Sequence, residues 1–587
     1  MEQIVIPAET KSLKPQKFEL ALIFCLLCFC CYLYFGQLGA RALWSEELRW
    51  AQIPKEMMQS GEYFSPTING QSYYDKPLGS YWLIVLTSLI TGVINEISCR
   101  IPCAISGVFS VFLTMLIARI FYPAKTTIYA GLILATSYSF VFFSRHASTD
   151  MENIAGILLS LWIFLKYEKS PQGWWVVLFW LSMALTSLTK GLLGFALPLL
   201  VSISYATAAN LHTLVKVKTM KEKVAYALVI NQWFFQWRTL VAMPIGLFVY
   251  VVPFLISLVW DGNADGLTMV WRENIRRFYN PANHIGPIYL YLGVIFILLA
   301  PWSLLLPAAI IQAFSKCKNS KEESSPDLFA LVYFISLFTF FTLASSRRSY
   351  YLLPVLPGAA ILIASLLSQK LSSLNLWALG LFKIGCALFF VSVVMMLFLL
   401  IPAEKFLPQP YDSLPRAPHY LFLGWIIIST LLLAIRAILG NEMSGWFVCQ
   451  SWFAAFLMIY IFQFFYPAAE EYRMQKEFIK QVKLLTEKKP NELALYKTRE
   501  AVFYLDSETP LPEFQDEEKL WASYKKGLTR WVLMKKRDTQ SRLFTGKIVL
   551  EEPCFLWEGK QTQVKLALVD LSQHQLDSEL ALKEKKD

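Results

Sequence analysis

Charge is scarce in this 587-residue sequence: 17% of its residues are charged and 56% hydrophobic, where soluble domains average about 25% and about 45–50%. That shortage excludes an ordinary soluble enzyme. The cysteines form no framework either. Cys25, Cys28, Cys30 and Cys31 crowd into the first apolar run and only Cys554 lies in the polar C-terminal stretch, so neither a disulfide scaffold nor a zinc spacing follows. No glycine-rich loop of the nucleotide-binding kind occurs, and no nucleotide cofactor is expected. Internal repeats and long low-complexity tracts are missing too. Behind the first apolar run there is no small-residue cleavage site, and the polar stretch before it carries Lys11, Lys14 and Lys17; this reads as an uncleaved first span with a cytoplasmic N-terminus.

What the sequence has in abundance is apolar length. Leu20 to Gly36, Ile288 to Phe314, Trp377 to Ile401 and Trp446 to Phe465 approach or exceed the ~20 residues that cross a ~30 Å hydrocarbon core as helix. Spans are expected near 18–36, 101–121, 127–143, 152–166, 174–188, 191–207, 239–259, 288–314, 328–344, 351–368, 377–401, 419–435 and 446–466, about thirteen in all. Gly79 to Ile94 is short for a span, and Tyr81 and Trp82 suit the bilayer surface, so it is read as an interfacial helix. With that register Arg119 with Lys125, Lys166 with Lys169, the Lys216 to Lys223 cluster, Lys316 to Lys321, Lys370 and Arg436 fall inside, as the positive-inside rule requires. Most of the net charge of +11 is thereby explained without a nucleic-acid partner. The expected organisation is a cytoplasmic N-terminus (1–17), an all-α polytopic membrane domain (18–466) whose first outer loop is 37–99, and a small α/β soluble domain (467–587) outside. In that last region Leu493 to Leu505, Thr529 to Lys535, Gly546 to Leu550 and Gln563 to Val569 look like strands, with helices at Glu471 to Glu487 and Asp516 to Lys525.

Three basic groups break the charge rule by landing outside: Arg145, the Arg272 to Arg277 cluster, and Arg347 with Arg348. Two guanidiniums on the outer side suit a phosphate, which they grip in a bidentate way; a substrate headgroup and the bulk bilayer offer that phosphate equally. Acidic groups share this side. Glu46 and Glu47 stand where the first span leaves the bilayer, followed at once by Arg49, and read either as a charged collar or as a general base whose pKa partial desolvation raises. Asp75 and Lys76 precede the interfacial helix, and His146 and Asp150 join two spans; these carboxylates and the imidazole are of the types that hold a divalent ion. Lys190 lies in an apolar stretch, where a cation either snorkels to the interface or is paired and functional.

Glu46-Glu47-Leu48-Arg49-Trp50-Ala51, Tyr74-Asp75-Lys76-Pro77, Arg145 to Met151, Thr189-Lys190-Gly191 and Arg347 to Pro354 resemble, in order and spacing, the integral-membrane glycosyltransferases of the C-type (GT-C) fold. The similarity is nearest to the bacterial aminoarabinose-to-lipid A transferases and the protein O-mannosyltransferases, and runs over roughly 40–360. It implies a polyprenyl-phosphate sugar donor, a catalytic carboxylate in the first outer loop and often a divalent metal (Mg, Mn or Zn). The family usually has Asp-Glu where this chain has Glu46-Glu47, and commonly Glu where it has Asp75.

The resulting expectation is a multi-pass enzyme of the inner membrane that moves a sugar from an undecaprenyl-phosphate-type donor to lipid A, another envelope glycan or a protein, with inversion. Glu46 or Glu47 would act as base; Lys190, Arg347 and Arg348 would hold the donor phosphate; Arg49, Asp75, Lys76 and Arg145 would shape the cavity; and Asp75, His146 and Asp150 would hold a metal. A lipid-linked glycan transporter is the rival of another class, but it should show inverted repeats or broken midplane helices, and the sequence has neither signal.

Overall fold

The computed structural model describes residues 17–572 except 170–173, 212–218, 232–233, 235, 273–285, 320–324, 401–415, 471–474, 488, 500, 508, 541–546 and 553–564. Cys554, most of the Arg272 to Arg277 cluster and part of the Lys216 to Lys223 cluster lie outside the described residues.

In hydrocarbon every backbone polar group must find its partner within the protein, so apolar runs fold as helices. Among the described residues seven helices are long and apolar enough to cross a membrane: Lys17–Phe35 (α1), Glu96–Phe121, Trp237–Asp261, Ser349–Leu367, Leu376–Met396, Pro418–Gly440 and Met443–Glu470. Ser349–Leu367 is the centre of the bundle, 89% buried, whereas α1 is 28% buried and lies on its periphery. Shorter apolar helices lie at three of the other expected stretches, Trp175–Lys190, Leu193–Ala209 and Asp327–Leu343, and the helix Asp150–Lys169 covers the stretch 152–166. The helix Gly79–Thr91 buries Tyr81, Ile84 and Val85 and leaves Leu83, Leu86, Leu89 and Ile90 exposed; its length of about 20 Å is too short to cross.

Two expected spans are not continuous. The stretch 127–143 is a pair of helices, Ala124–Ala135 and Tyr138–Ser144, bent by 66°. The stretch 288–314 is divided into Leu290–Leu298 and Leu306–Asn319, interrupted at Pro301, which lacks the N–H a helix needs. The two interruptions meet. The Tyr138 N–H donates to the Ala300 carbonyl at 2.9 Å and the Trp302 indole to the Thr136 hydroxyl at 2.9 Å, so each break satisfies groups freed by the other.

The bundle has two polar ends. Arg119 pairs with Glu19 at 2.9 Å, and Lys316 with Asp327 at 3.2 Å, at the end expected to face the cytoplasm. The other end of α1 delivers the chain to the candidate site.

Beyond the last apolar helix a five-stranded sheet forms from β3 (Leu493–Tyr496), β4 (Glu513–Phe514), β5 (Trp531–Lys535), β6 (Lys547–Glu551) and β7 (Leu566–Asp570), in the order β4-β3-β5-β7-β6, while β1 (Thr67–Ile68) and β2 (Gln71–Ser72) make a hairpin in the first loop. β3 and β7 are buried along their whole length, because apolar residues cover both faces, and the edge strand β6 alternates. One face packs Phe478, Ile479 and Val482 against Leu495, Leu533 and Leu568; the other packs Leu520 on Val532 and Val569. The strand expected over 493–505 ends at Tyr496, where Lys497 takes a left-handed φ of +50°, and Val502–Leu505 is a helical turn. This region rests on the first loop: Asn69 exchanges hydrogen bonds of 2.8 and 2.7 Å with Leu511, and Lys55 pairs with Asp506.

Candidate active site

Glu46 and Glu47 are adjacent but point into different surroundings. Ser45 takes a left-handed φ of +52°, Glu46 caps the helix Glu47–Ser60 with helical φ and ψ, and consecutive helical residues diverge by about 100°. Glu47 is 0% exposed. Its carboxylate receives the Arg100 guanidinium through Nε at 2.8 Å and Nη2 at 2.7 Å, and also the Ala147 N–H at 2.8 Å. His146 Nδ1 lies 3.4 Å away. Glu46 keeps 38% of its side chain exposed and meets Arg348 at 2.6 Å and Arg49 at 3.5 Å.

From Glu46 a line of charged groups extends both ways. Arg49 continues to Asp75 at 2.7 Å, and Asp75 to Lys76 at 3.0 Å. In the other direction Arg348 donates to the Tyr350 hydroxyl at 2.7 Å, the Tyr350 ring lies 5.8 Å from the Lys190 ammonium, and Lys190 pairs with Asp150. Asp150 opens one helix (Asp150–Lys169) and Lys190 closes the next (Trp175–Lys190), the positions where the helix dipoles favour an anion and a cation. Thus Glu46, Arg49, Asp75, Lys76, Asp150, Lys190 and Arg348, drawn from five segments of the chain, share one network.

Two expected site residues face elsewhere. Arg347 donates to the carbonyls of Thr342 (2.9 Å) and Gly286 (2.6 Å), closing the turn that presents Arg348. Arg145 donates to the carbonyls of Leu33 and Tyr34, the open C-terminal end of α1, at 2.6 and 3.2 Å. Cation–carbonyl contacts of this kind hold a backbone rather than a ligand.

The electrostatics differ from the expectation of a raised carboxylate. Burial pushes the Glu46 carboxyl up, but Arg49 and Arg348 outweigh it and hold Glu46 below the ordinary value. Burial acts on Glu47 too, and Arg100 and His146 nevertheless bring it down to about 2. Burial lowers Arg145 to about 9, helped by repulsion from Arg100 and Arg41, and burial also lowers His146 against the attraction of Glu47.

The three residues expected to hold a metal do not converge. Asp75 is engaged by Arg49 and Lys76, Asp150 by Lys190 and His146 by Glu47; no group of three His, Cys, Asp or Glu side chains suited to a metal occurs among the described residues. As arranged here, these three side chains do not form a site for a divalent ion. Sequence reasoning missed Arg100 and Tyr350. Arg100 lies five residues into an apolar helix (Glu96–Phe121), where a buried cation is itself a signal.

Comparison with known proteins places this geometry in a class. Residues 75–237 match a family model described as dolichyl-phosphate-mannose-protein mannosyltransferase. An uncharacterized protein of Aquifex aeolicus is 31% identical over 70% of this chain and 78% of its own length. An undecaprenyl phosphate-alpha-4-amino-4-deoxy-L-arabinose arabinosyl transferase of Pseudomonas aeruginosa is 28% identical over 74% of this chain and 73% of its own. Among solved structures, ArnT from Cupriavidus metallidurans bound to undecaprenyl phosphate shares the fold with a TM-score of 0.67 at 19% identity, over 94% of this chain and 98% of that one. Fold and relatives define an integral-membrane transferase. The chain belongs to the C-type-fold family of integral-membrane glycosyltransferases.

Proposed function

We propose that this chain transfers a sugar from an undecaprenyl-phosphate donor to lipid A or another envelope glycan, at the outer face of the inner membrane. The observation that carries the reading is the Glu46–Arg348 contact of 2.6 Å beside the Lys190–Asp150 pair: a half-exposed carboxylate and two cations stand in one network. Arg348 and Lys190 are suited to the donor phosphate, and Glu46 to the acceptor hydroxyl. Glu46 takes the hydroxyl proton, the oxygen attacks the anomeric carbon, and the sugar–phosphate bond breaks with its electron pair leaving on phosphate. A single displacement inverts the anomeric centre. Because phosphate leaves as an anion, the cations need only offset its growing charge. Donor phosphate drawing Arg348 away would also free Glu46 to accept the proton. Arg49, fixed between Glu46 and Asp75, orients the carboxylate, and Arg347 and Arg145 act on the backbone around it.

The same proposal includes the finer topology: about thirteen spans, an N-terminus inside, and residues 467–587 as an extracytoplasmic α/β domain. Support comes from the sheet resting on the first loop, the loop that carries Glu46.

A protein hydroxyl is the second acceptor, favoured by the mannosyltransferase family model, whose match includes Asp75, Asp150 and Lys190 but neither Glu46 nor Arg348. Mass spectrometry of lipid A and of envelope proteins from cells lacking the gene separates the acceptors. Release of labelled sugar from a polyprenyl-phosphate donor by wild type and by Glu46→Gln tests the reaction; equal rates would refute the role of Glu46.

A further inference from the structure

The segment that delivers Glu46 is gripped from two sides. Arg100 uses all five of its N–H donors on it: Glu47 takes two, Leu38 and Arg41 carbonyls take Nη1 at 2.9 and 2.8 Å, and the Ala42 carbonyl takes Nη2 at 3.1 Å. The N–H groups of the same segment are held by the C-terminal part of the chain. Ala42 N–H donates to Glu470 at 3.0 Å, and Leu43 N–H to the Tyr504 hydroxyl at 2.6 Å. Tyr504 in turn donates to Glu96 at 2.8 Å, where Lys476 also arrives at 2.5 Å. The helical turn that carries Tyr504 is rooted in the sheet's apolar core through Val502 and Leu505.

We propose that Tyr504 is a positioning residue for transfer: its hydroxyl, presented by the C-terminal unit, fixes the backbone at Leu43 and thereby sets where the Glu46 carboxylate lies. The inference rests on the reading of Glu46 given above. Only Trp44 and the left-handed Ser45 lie between Leu43 and Glu46, and their carbonyls accept the N–H groups of Glu47 and Leu48 at 3.1 and 3.4 Å, so a shift at Leu43 passes to the carboxylate. A misplacement of about 1 Å is enough to cost about 100-fold in rate. The unit does not depend on this hydroxyl for attachment, because Asn69 with Leu511 and Lys55 with Asp506 hold it elsewhere on the loop.

Tyr504→Phe removes one oxygen and keeps the ring. The test uses the full chain in detergent, undecaprenyl-phosphate 4-amino-4-deoxy-L-arabinose as donor probe and lipid A as acceptor, with Glu46→Gln and Asn69→Ala alongside. The expected result for Tyr504→Phe is a kcat lower by about 10- to 100-fold, an unchanged donor KM and an unchanged melting temperature, while Asn69→Ala keeps its kcat. A Tyr504→Phe enzyme with wild-type kcat overturns the proposal, as does one whose loss accompanies a lower melting temperature. Full activity of Glu46→Gln removes the reading of Glu46 and this inference with it; full loss there with none in Tyr504→Phe removes this inference alone.

Discussion

Arg348 Nη1 lies 2.6 Å from Glu46 Oε1, although the two residues are 302 positions apart in the chain. The contact ties the first loop to the turn before the central helix. It also leaves Glu46 the accessible member of the Glu46–Glu47 pair.

Replacing the two glutamates by glutamine should therefore give different outcomes. Glu46→Gln removes a base, expected to lower kcat by about 10²- to 10⁴-fold, with the melting temperature kept. Glu47→Gln leaves Arg100 buried with a neutral partner, an arrangement that costs about 3–5 kcal/mol when a buried pair is broken. Its signature is a lower melting temperature in detergent, and equal stability of the two variants would contradict the assignment.

Arg348→Ala should act on binding and on pH dependence together. Loss of the guanidinium weakens the donor site, raising donor KM, and removes a charge that depresses Glu46. The Glu46 pKa of the free enzyme must then rise, so the acidic limb of the kcat/KM–pH profile moves to higher pH. A kcat/KM profile identical to wild type would show that the pair does not form in the free enzyme.

Acid should destabilise the fold in two windows of the same sign. His146 is held below its ordinary value, so the unfolded chain binds its proton first, and stability falls as pH drops below about 6.5. Glu47 is held down to about 2, so its contribution is complete above the ordinary carboxylate pKa and is lost as pH falls from there to about 2. Melting curves of wild type and His146→Asn between pH 8 and about 2 check this: the variant should lose the upper window and keep the lower.

Chelation with EDTA should leave transfer unchanged, since Asp75, His146 and Asp150 are each engaged by a separate partner. Activity abolished by EDTA and restored by magnesium would require those pairs to open and regroup.

Periodicity and apolar length located the helices well, because a bilayer tolerates few alternatives. They did not reveal the bend at Thr136 and Ser137 or the interruption at Pro301, since the compensating bonds come from distant residues. Within the site, the charged motifs were visible because charge is rare here, and the segments bearing Glu46, Asp75, Lys190 and Arg348 do converge. Their partners were less legible. Arg347 and Arg348 are neighbours of one type, and only the position of the Thr342 and Gly286 carbonyls tells the backbone brace from the side chain that meets Glu46. The short strand β4 and the helical turn that carries Tyr504 are set by tertiary pairing, which no local pattern announces.

The paired interruptions at Thr136–Tyr138 and Ala300–Trp302 bear on how the chain is made. A nascent protein that has emerged only as far as Asn210 has no acceptor for the Tyr138 amide and no indole for Thr136. The bend in the early half therefore gains its native partners only once Ala300 and Trp302 have been synthesised. Truncated products ending before that point are the ones quality control should remove fastest.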